Sequence, residues 1–157
     1  MWFKKTGSQE DWVFSSGTTG CTAGDFNKSY DLQIQNLDLY FHVNGNGPTN
    51  PGGGKIGFIQ SISLNNWYHV VLVYTGSIMY GYVNGVLKFN DTRTLNTTNS
   101  PLYIANDSLS CTVNLFDGSI DDVRIYNRAL TADELRDLYL SGVKLTGAVL
   151  RNMKVNQ

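Results

Sequence analysis

Polar and apolar residues alternate with a period of two through Tyr30-Asp31-Leu32-Gln33-Ile34-Gln35, the pattern of a strand with one face buried. Asn36 breaks it, and the run from Leu37 to Val43 is expected to be its hairpin partner. Trp12-Val13-Phe14-Ser15-Ser16 reads as a short strand closed by Gly17, residues 56–63 as another, and Leu102-Tyr103-Ile104 as a third. Residues 67–74, WYHVVLVY, are apolar on both parities, as a central strand covered on both sides should be. The clearest local signal follows. IMYGYV and VLKF flank Asn84-Gly85, a pair that accepts positive φ at both central positions of a two-residue hairpin turn. Residues 44–54, NGNGPTNPGGG, carry too much Gly and Pro for a strand and are expected to form a loop.

The period changes once. Thr131-Ala132-Asp133-Glu134 is a capping box, with Leu130 and Leu135 spaced as a hydrophobic staple around it. Leu135, Leu138 and Tyr139 share one helical face, and Gly142 is the expected stop. Eight to ten strands, one short C-terminal helix and no internal repeat define an all-β fold, a two-sheet antiparallel sandwich. Residues 143–157 form a C-terminal extension whose first part, 143–150, has the composition of an edge strand or tail.

Composition sharpens this reading. The chain has 157 residues with a net charge of -1, and nine Tyr, three Trp and sixteen Gly among them. That balance offers no electrostatic footprint for nucleic acid or an anionic membrane. No apolar run reaches the ~20 residues of a membrane span. No signal peptide is evident in this chain, so it is expected either to be cytosolic or to be a piece of a longer exported protein, extracellular or at the cell surface. Cys21 and Cys111 are compatible with a long-range disulfide or with two separate thiols.

Four segments, WYHVVLVYTG (67–76), GYVNGVL (81–87), LYIAN (102–106) and FDGSIDDVRIYNRALTADELRDLYLSG (116–142), occur in the order found in laminin-G-like domains. The chain resembles that family, part of the concanavalin A-like lectin/glucanase superfamily, over residues 1–142. The N-terminal WFKK and WVFSSG resemble its early strands. The resemblance implies a jelly roll of one concave and one convex sheet, with the capped helix lying against an edge. It also implies a first strand or two before WFKK, so a vacant edge is expected, filled by residues 143–150 or left open to another chain.

The chemistry centres on GSIDDVRIYNRAL (118–130). Asp121 shares parity with Val123 and Ile125, so in a regular strand its carboxylate faces the core, where it must be paired, hydrogen-bonded or bound to metal. The resemblance makes Asp121, with Asp122 beside it, a candidate ligand for a structural Ca2+, which takes six to eight oxygens. The competing expectation is a backbone or Arg128 partner, or a bulge that turns the side chain outward. Asp122 and Arg124 have the opposite parity and are expected to form an exposed pair. The superfamily's glucanases carry E-x-D-x-x-E; this chain has only Glu10 and Glu134, and the latter is spent on the helix cap. Catalysis is therefore not expected. Aromatic faces with nearby Asn and Asp groups suit sugar rings, and Tyr40, Tyr80, Tyr82, Asn44 and Asn46 are the candidate ligand-binding set, with Trp12 and Tyr103 as further aromatic material. Trp67 is expected in the core, and His42 and His69 as packed, hydrogen-bonded imidazoles. The expected function is a non-catalytic carbohydrate-binding or adhesion module. The alternative is a structural or protein–protein domain without a sugar site, self-associating through an open edge.

Overall fold

A computed structural model describes residues 1–18, 27–43, 54–92, 95, 101–106 and 115–143. Ten strands and one helix follow in chain order: β1 (Trp2–Lys5), β2 (Asp11–Thr18), β3 (Asn27–Gln35), β4 (Asp38–Val43), β5 (Gly54–Ser61), β6 (Trp67–Tyr74), β7 (Ile78–Val83), β8 (Val86–Thr92), β9 (Leu102–Ile104), β10 (Gly118–Asp121) and α1 (Ala132–Gly142). They form two antiparallel five-stranded sheets, ordered β10-β1-β6-β7-β8 and β5-β4-β3-β2-β9. This is the jelly-roll sandwich expected from the sequence, with β6 in the centre of the first sheet. No described helix is long and apolar enough to cross a membrane. Cys21, Cys111, Asn44, Asn46 and residues 144–157 lie outside the described residues.

The core is the layer where the inward parities meet. Phe3 and Val70 from the first sheet pack with Leu32, Ile34, Leu39 and Phe41 from the second. Gly81 shows how tightly the layers fit. A Cβ there would overlap the Phe89 ring, and that ring packs on Phe41 at a centroid distance of 5.5 Å. The gap opposite Tyr80 and Tyr82 is thus filled from within the chain.

Two turns follow directly from sequence. Asn84 and Gly85 adopt φ of 51° and 75°, closing the β7–β8 hairpin. Asn36 and Leu37 do the same between β3 and β4, with φ of 52° and 62°. Leu is a costly choice for that region, and its anchoring offsets the cost. Its side chain packs on the core and its carbonyl accepts from the Ile62 amide at 2.8 Å.

Helix α1 starts as its capping box dictates, with Thr131 Oγ1 accepting from the Glu134 amide and Glu134 Oε2 accepting from the Thr131 amide at 2.8 Å. Arg128 grips the same carboxylate in a fork, Nη1 to Oε2 at 2.9 Å and Nη2 to Oε1 at 2.6 Å. Arg128 therefore serves the helix, not Asp121. The helix does not end in a left-handed glycine. Gly142 is its last residue, Val143 caps it in an extended conformation, and a Cβ on Gly142 would overlap the Trp2 indole. Tyr139 completes a stack with Trp2 (5.7 Å) and His69 (6.1 Å), so the helix lies over the outer face of the first sheet.

That stack has a pH signature. Burial pushes the His69 imidazole down to about 4, from 6.5, and the nearby N-terminal amino charge adds to the effect. The unfolded chain then takes up a proton that the folded chain refuses, so stability is full above pH 6.5 and falls as pH drops toward 4. Glu134 acts in a lower window. The Arg128 fork first, and the Thr131 amide second, hold it at about 2 against an ordinary 4.5, so its contribution is present above 4.5 and lost toward 2. Thermal melts across this range should decline in both windows, and His69→Phe should flatten only the upper one. An unchanged upper slope in that variant would remove His69 as its cause.

Candidate functional site

With α1 over the first sheet, the outer face of the second sheet is the one that no described helix covers. The strand register puts two rows of side chains on it. Tyr103, Ser15, Asp31 and His42 lie side by side across β9, β2, β3 and β4. Trp12, Gln33 and Tyr40 lie side by side across β2, β3 and β4. Two residues separate the rows along each of β3 and β4, about 7 Å. Gln35, Asp38 and Ser61 continue the same face, and the Ser61 hydroxyl donates to Asp38 Oδ1 at 2.8 Å.

Trp12 reaches this face through an irregularity. The β2–β3 register shifts between Trp12 and Phe14, so Trp12 opposes Gln33 while Phe14 opposes Leu32. One extra residue, the fully buried Val13, lets Trp12 point outward although Phe14 packs against the core.

The polar members of the rows are firmly set. Asp31 is 1% exposed and Gln33 8%, although both point away from the core. Gln33 is flanked in register by Trp12 and Tyr40, and Asp31 by Ser15 and His42. The Asp31 carboxylate lies 2.7 Å from His42 Nδ1, which fixes that ring. His42 is thus the hydrogen-bonded imidazole expected from the sequence. The result is a shelf of half-buried aromatic rings around oriented amide, carboxylate and imidazole groups. Such a shelf can stack its half-buried rings on an apolar ring face, with the buried Asp31 and Gln33 side chains set between them.

The candidate residues divide between the two sides of the molecule. Tyr40 joins Trp12 and Tyr103 on this shelf. Tyr80 and Tyr82 lie in β7, where Met79, Gly81 and Val83 point inward, so both tyrosines face outward from the opposite sheet. They cannot share one ligand with Tyr40. Asp31, Gln33 and His42 were not among the sequence candidates; their alternation with Leu32, Ile34 and Phe41 was the available signal. Trp67, expected in the core, is 43% exposed, with the Lys4 ammonium 5.3 Å from its ring centroid.

Asp121 follows the competing expectation, turned outward and held by a backbone amide. It opposes Trp2 and lies on the outer side of the first sheet, exposed, with its Oδ1 accepting from the Asp122 amide at 2.7 Å. Strand regularity ends there because Asp122 takes a φ of 51°, leaving Val123 and Ile125 exposed as well. Asp122 Oδ1 accepts from Arg124 Nε at 2.8 Å, the surface pair the parity implied. Both carboxylates reach solvent and each is engaged locally. Among the described residues no group of three or more His, Cys, Asp or Glu side chains gathers to hold a metal.

A family model described as the concanavalin A-like lectin/glucanases superfamily, Laminin_G_3, matches residues 1–136. Solved structures share the fold at low identity. The CBM40 module of the Ruminococcus gnavus IT-sialidase, bound to alpha2,3 sialyllactose, is 14% identical with a TM-score of 0.66, covering 88% of this chain and 79% of that one. Domain 4 of AbnA, a GH43 extracellular arabinanase from Geobacillus stearothermophilus, in complex with arabinotriose, is 20% identical with a TM-score of 0.63, over 88% and 63%. A Trypanosoma rangeli sialidase mutant displaying trans-sialidase activity is 21% identical with a TM-score of 0.67, over 89% of this chain and 22% of that one. The chain thus spans only about a fifth of that sialidase. No curated relative matches the sequence.

Proposed function

Because the chain belongs to the Laminin_G_3 family of the concanavalin A-like lectin/glucanase superfamily, we propose that it is a non-catalytic carbohydrate-binding module, working as an adhesion or targeting part of a larger exported protein. The observation that carries this reading is the open shelf on the second sheet, with Trp12, Tyr40 and Tyr103 around Asp31, Gln33 and His42. The rings supply stacking surfaces, and the packing of the buried Asp31 and Gln33 among their neighbours holds the shelf in place, which lowers the ordering cost of binding. Modules of similar fold that bind sialyllactose and arabinotriose support sugar as the ligand class.

The same shelf argues against glycoside hydrolysis. Its described carboxylates are Asp31 and Asp38. They sit four residues apart in β3–β4 register, about 14 Å, beyond the roughly 5–9.5 Å that retaining or inverting chemistry needs. Asp31 is held by His42 and Asp38 by Ser61.

The test is a glycan array that includes sialyllactose and arabinotriose, followed by titration of the best binder, each with Ca2+ and with EDTA. Trp12→Ala and Tyr40→Ala should each weaken binding roughly ten-fold or more, about 1.4 kcal/mol. Tyr82→Ala, on the far sheet, should leave it unchanged, and chelation should have no effect. Silence across the array, or loss through Tyr82 but not Trp12, would replace this reading with that of an interaction domain without a sugar site on the shelf.

A further inference from the structure

On the shelf, His42 is held on one side and open on the other. Asp31 points outward from β3, yet it is only 1% exposed. His42, its register partner on β4, keeps 15% of its side chain exposed. Asp31 Oδ1 lies 2.7 Å from His42 Nδ1. A carboxylate can only accept, so the proton of that hydrogen bond sits on Nδ1. In the uncharged ring Nε2 then has a lone pair and no hydrogen. Among the described residues His42 makes no second hydrogen bond. Strand alignment does not call for this contact, because β3 and β4 already pair from Tyr30↔Val43 to Gln35↔Asp38. Burying a carboxylate on an outward face carries a desolvation cost. Its effect here is to leave one defined acceptor atom beside an aromatic surface. Tyr40 stands two residues away on the same face of β4, about 7 Å along the strand.

We propose, resting on the carbohydrate-binding reading of the shelf, that Asp31 is a positioning residue which locks His42 in the Nδ1–H tautomer, and that His42 Nε2 accepts a hydrogen bond from a hydroxyl of a sugar stacked on Tyr40. The ligand class is then an uncharged sugar with a hydroxyl beside its apolar face. The Nε2 lone pair repels a carboxylate at the same point, so an acidic substituent gains nothing there. The logic is that of the Asp–His pair in a hydrolase triad, where the acid never touches the substrate but decides which ring nitrogen carries the proton. Asparagine in place of Asp31 keeps the shape and removes that decision, since its amide can accept from Nδ1 or donate to it. The other tautomer, with its hydrogen on Nε2, then becomes populated and shows the ligand a donor in place of the acceptor.

Nitrogen-15 NMR of the labelled 157-residue chain at neutral pH reads the tautomer directly. Nδ1 of His42 should show the shift of an N–H nitrogen and Nε2 that of a bare one, and in Asp31→Asn the two shifts should move toward each other. Titration with arabinotriose, lactose and alpha2,3 sialyllactose reads the contact. Arabinotriose or lactose should bind, His42→Phe should weaken that binding about ten-fold, and Asp31→Asn should fall between the two. Sialyllactose should bind no better than lactose. A bare Nδ1 in the wild-type chain, or shifts that Asp31→Asn leaves unmoved, overturns the lock. Unchanged binding in His42→Phe, with Trp12→Ala weakened, overturns the acceptor role and leaves the sugar reading standing. Binding gained through the sialic acid and lost in His42→Phe would make the ring a cationic donor and overturn it too. Silence of the wild-type chain toward arabinotriose and lactose overturns the acceptor role, and silence across the whole glycan array ends the sugar reading itself. If Asp31→Asn fails to fold, the wild-type shifts and His42→Phe decide.

Discussion

Asp11→Ala is expected to destabilise the protein by about 3–5 kcal/mol, as loss of one partner of a buried ion pair does. Lys5 closes β1 and Asp11 opens β2, so the pair ties one sheet to the other at one end of the sandwich. Lys5 Nζ lies 2.5 Å from Asp11 Oδ2, and both side chains are almost completely buried. The same oxygen accepts from the Asp117 amide at 2.9 Å, bringing in the start of β10, while the ammonium sits 5.8 Å from the Phe116 ring centroid. Burial pushes the Asp11 carboxyl up, and the hydrogen bonds from Lys5 and the Asp117 amide pull it back. Removing the carboxylate strands a buried cation without its partner. The diagnostic comparison is the double variant Lys5→Met/Asp11→Leu, which removes both charges at similar volume and should recover most of the loss. Urea denaturation would report both values. A single-variant loss under about 1 kcal/mol would mean that water reaches the pair.

Phe41→Ala should cost a similar amount, about 3–5 kcal/mol, through lost transfer energy plus the cavity left behind. Phe41 is 1% exposed and joins the layers, with Phe14 of its own sheet at 6.0 Å and Phe89 of the other at 5.5 Å. Phe89 cannot easily slide into the void, because its ring is seated in the notch over Gly81. Phe41→Leu, which keeps more of the volume, should cost less than half as much. Equal losses in the two variants would show that ring stacking, not cavity volume, carries the effect.

Where structure is written locally, the sequence could be read well. Asn84-Gly85 made its turn, Thr131 and Glu134 made their capping box, and the doubly apolar run 67–74 became the central strand of the first sheet. The site was harder because period-two reasoning assigns a side within one strand but not the sheet to which that strand belongs. Tyr40, Tyr80 and Tyr82 each alternate correctly, yet lie on opposite sides of the sandwich. For Asp121 parity left the core and an outward turn both open, because parity arguments need an unbroken strand, and the left-handed Asp122 breaks it one residue later. Trp67 was misplaced because a large apolar ring at a strand end can serve as a seat for Lys4 instead of entering the core.

The inserted Val13 makes β2 a phase switch. Upstream of it the odd-numbered members of the strand face inward; downstream the even-numbered ones do. Substitutions along β2 would alter the chemistry of one position at a time. Deleting a single residue there would exchange the indole on the shelf for an interior side chain without altering any other letter of the chain. Descendants of this sequence should therefore vary in which ring they display at position 12, and hardly at all in the number of residues between it and Phe14.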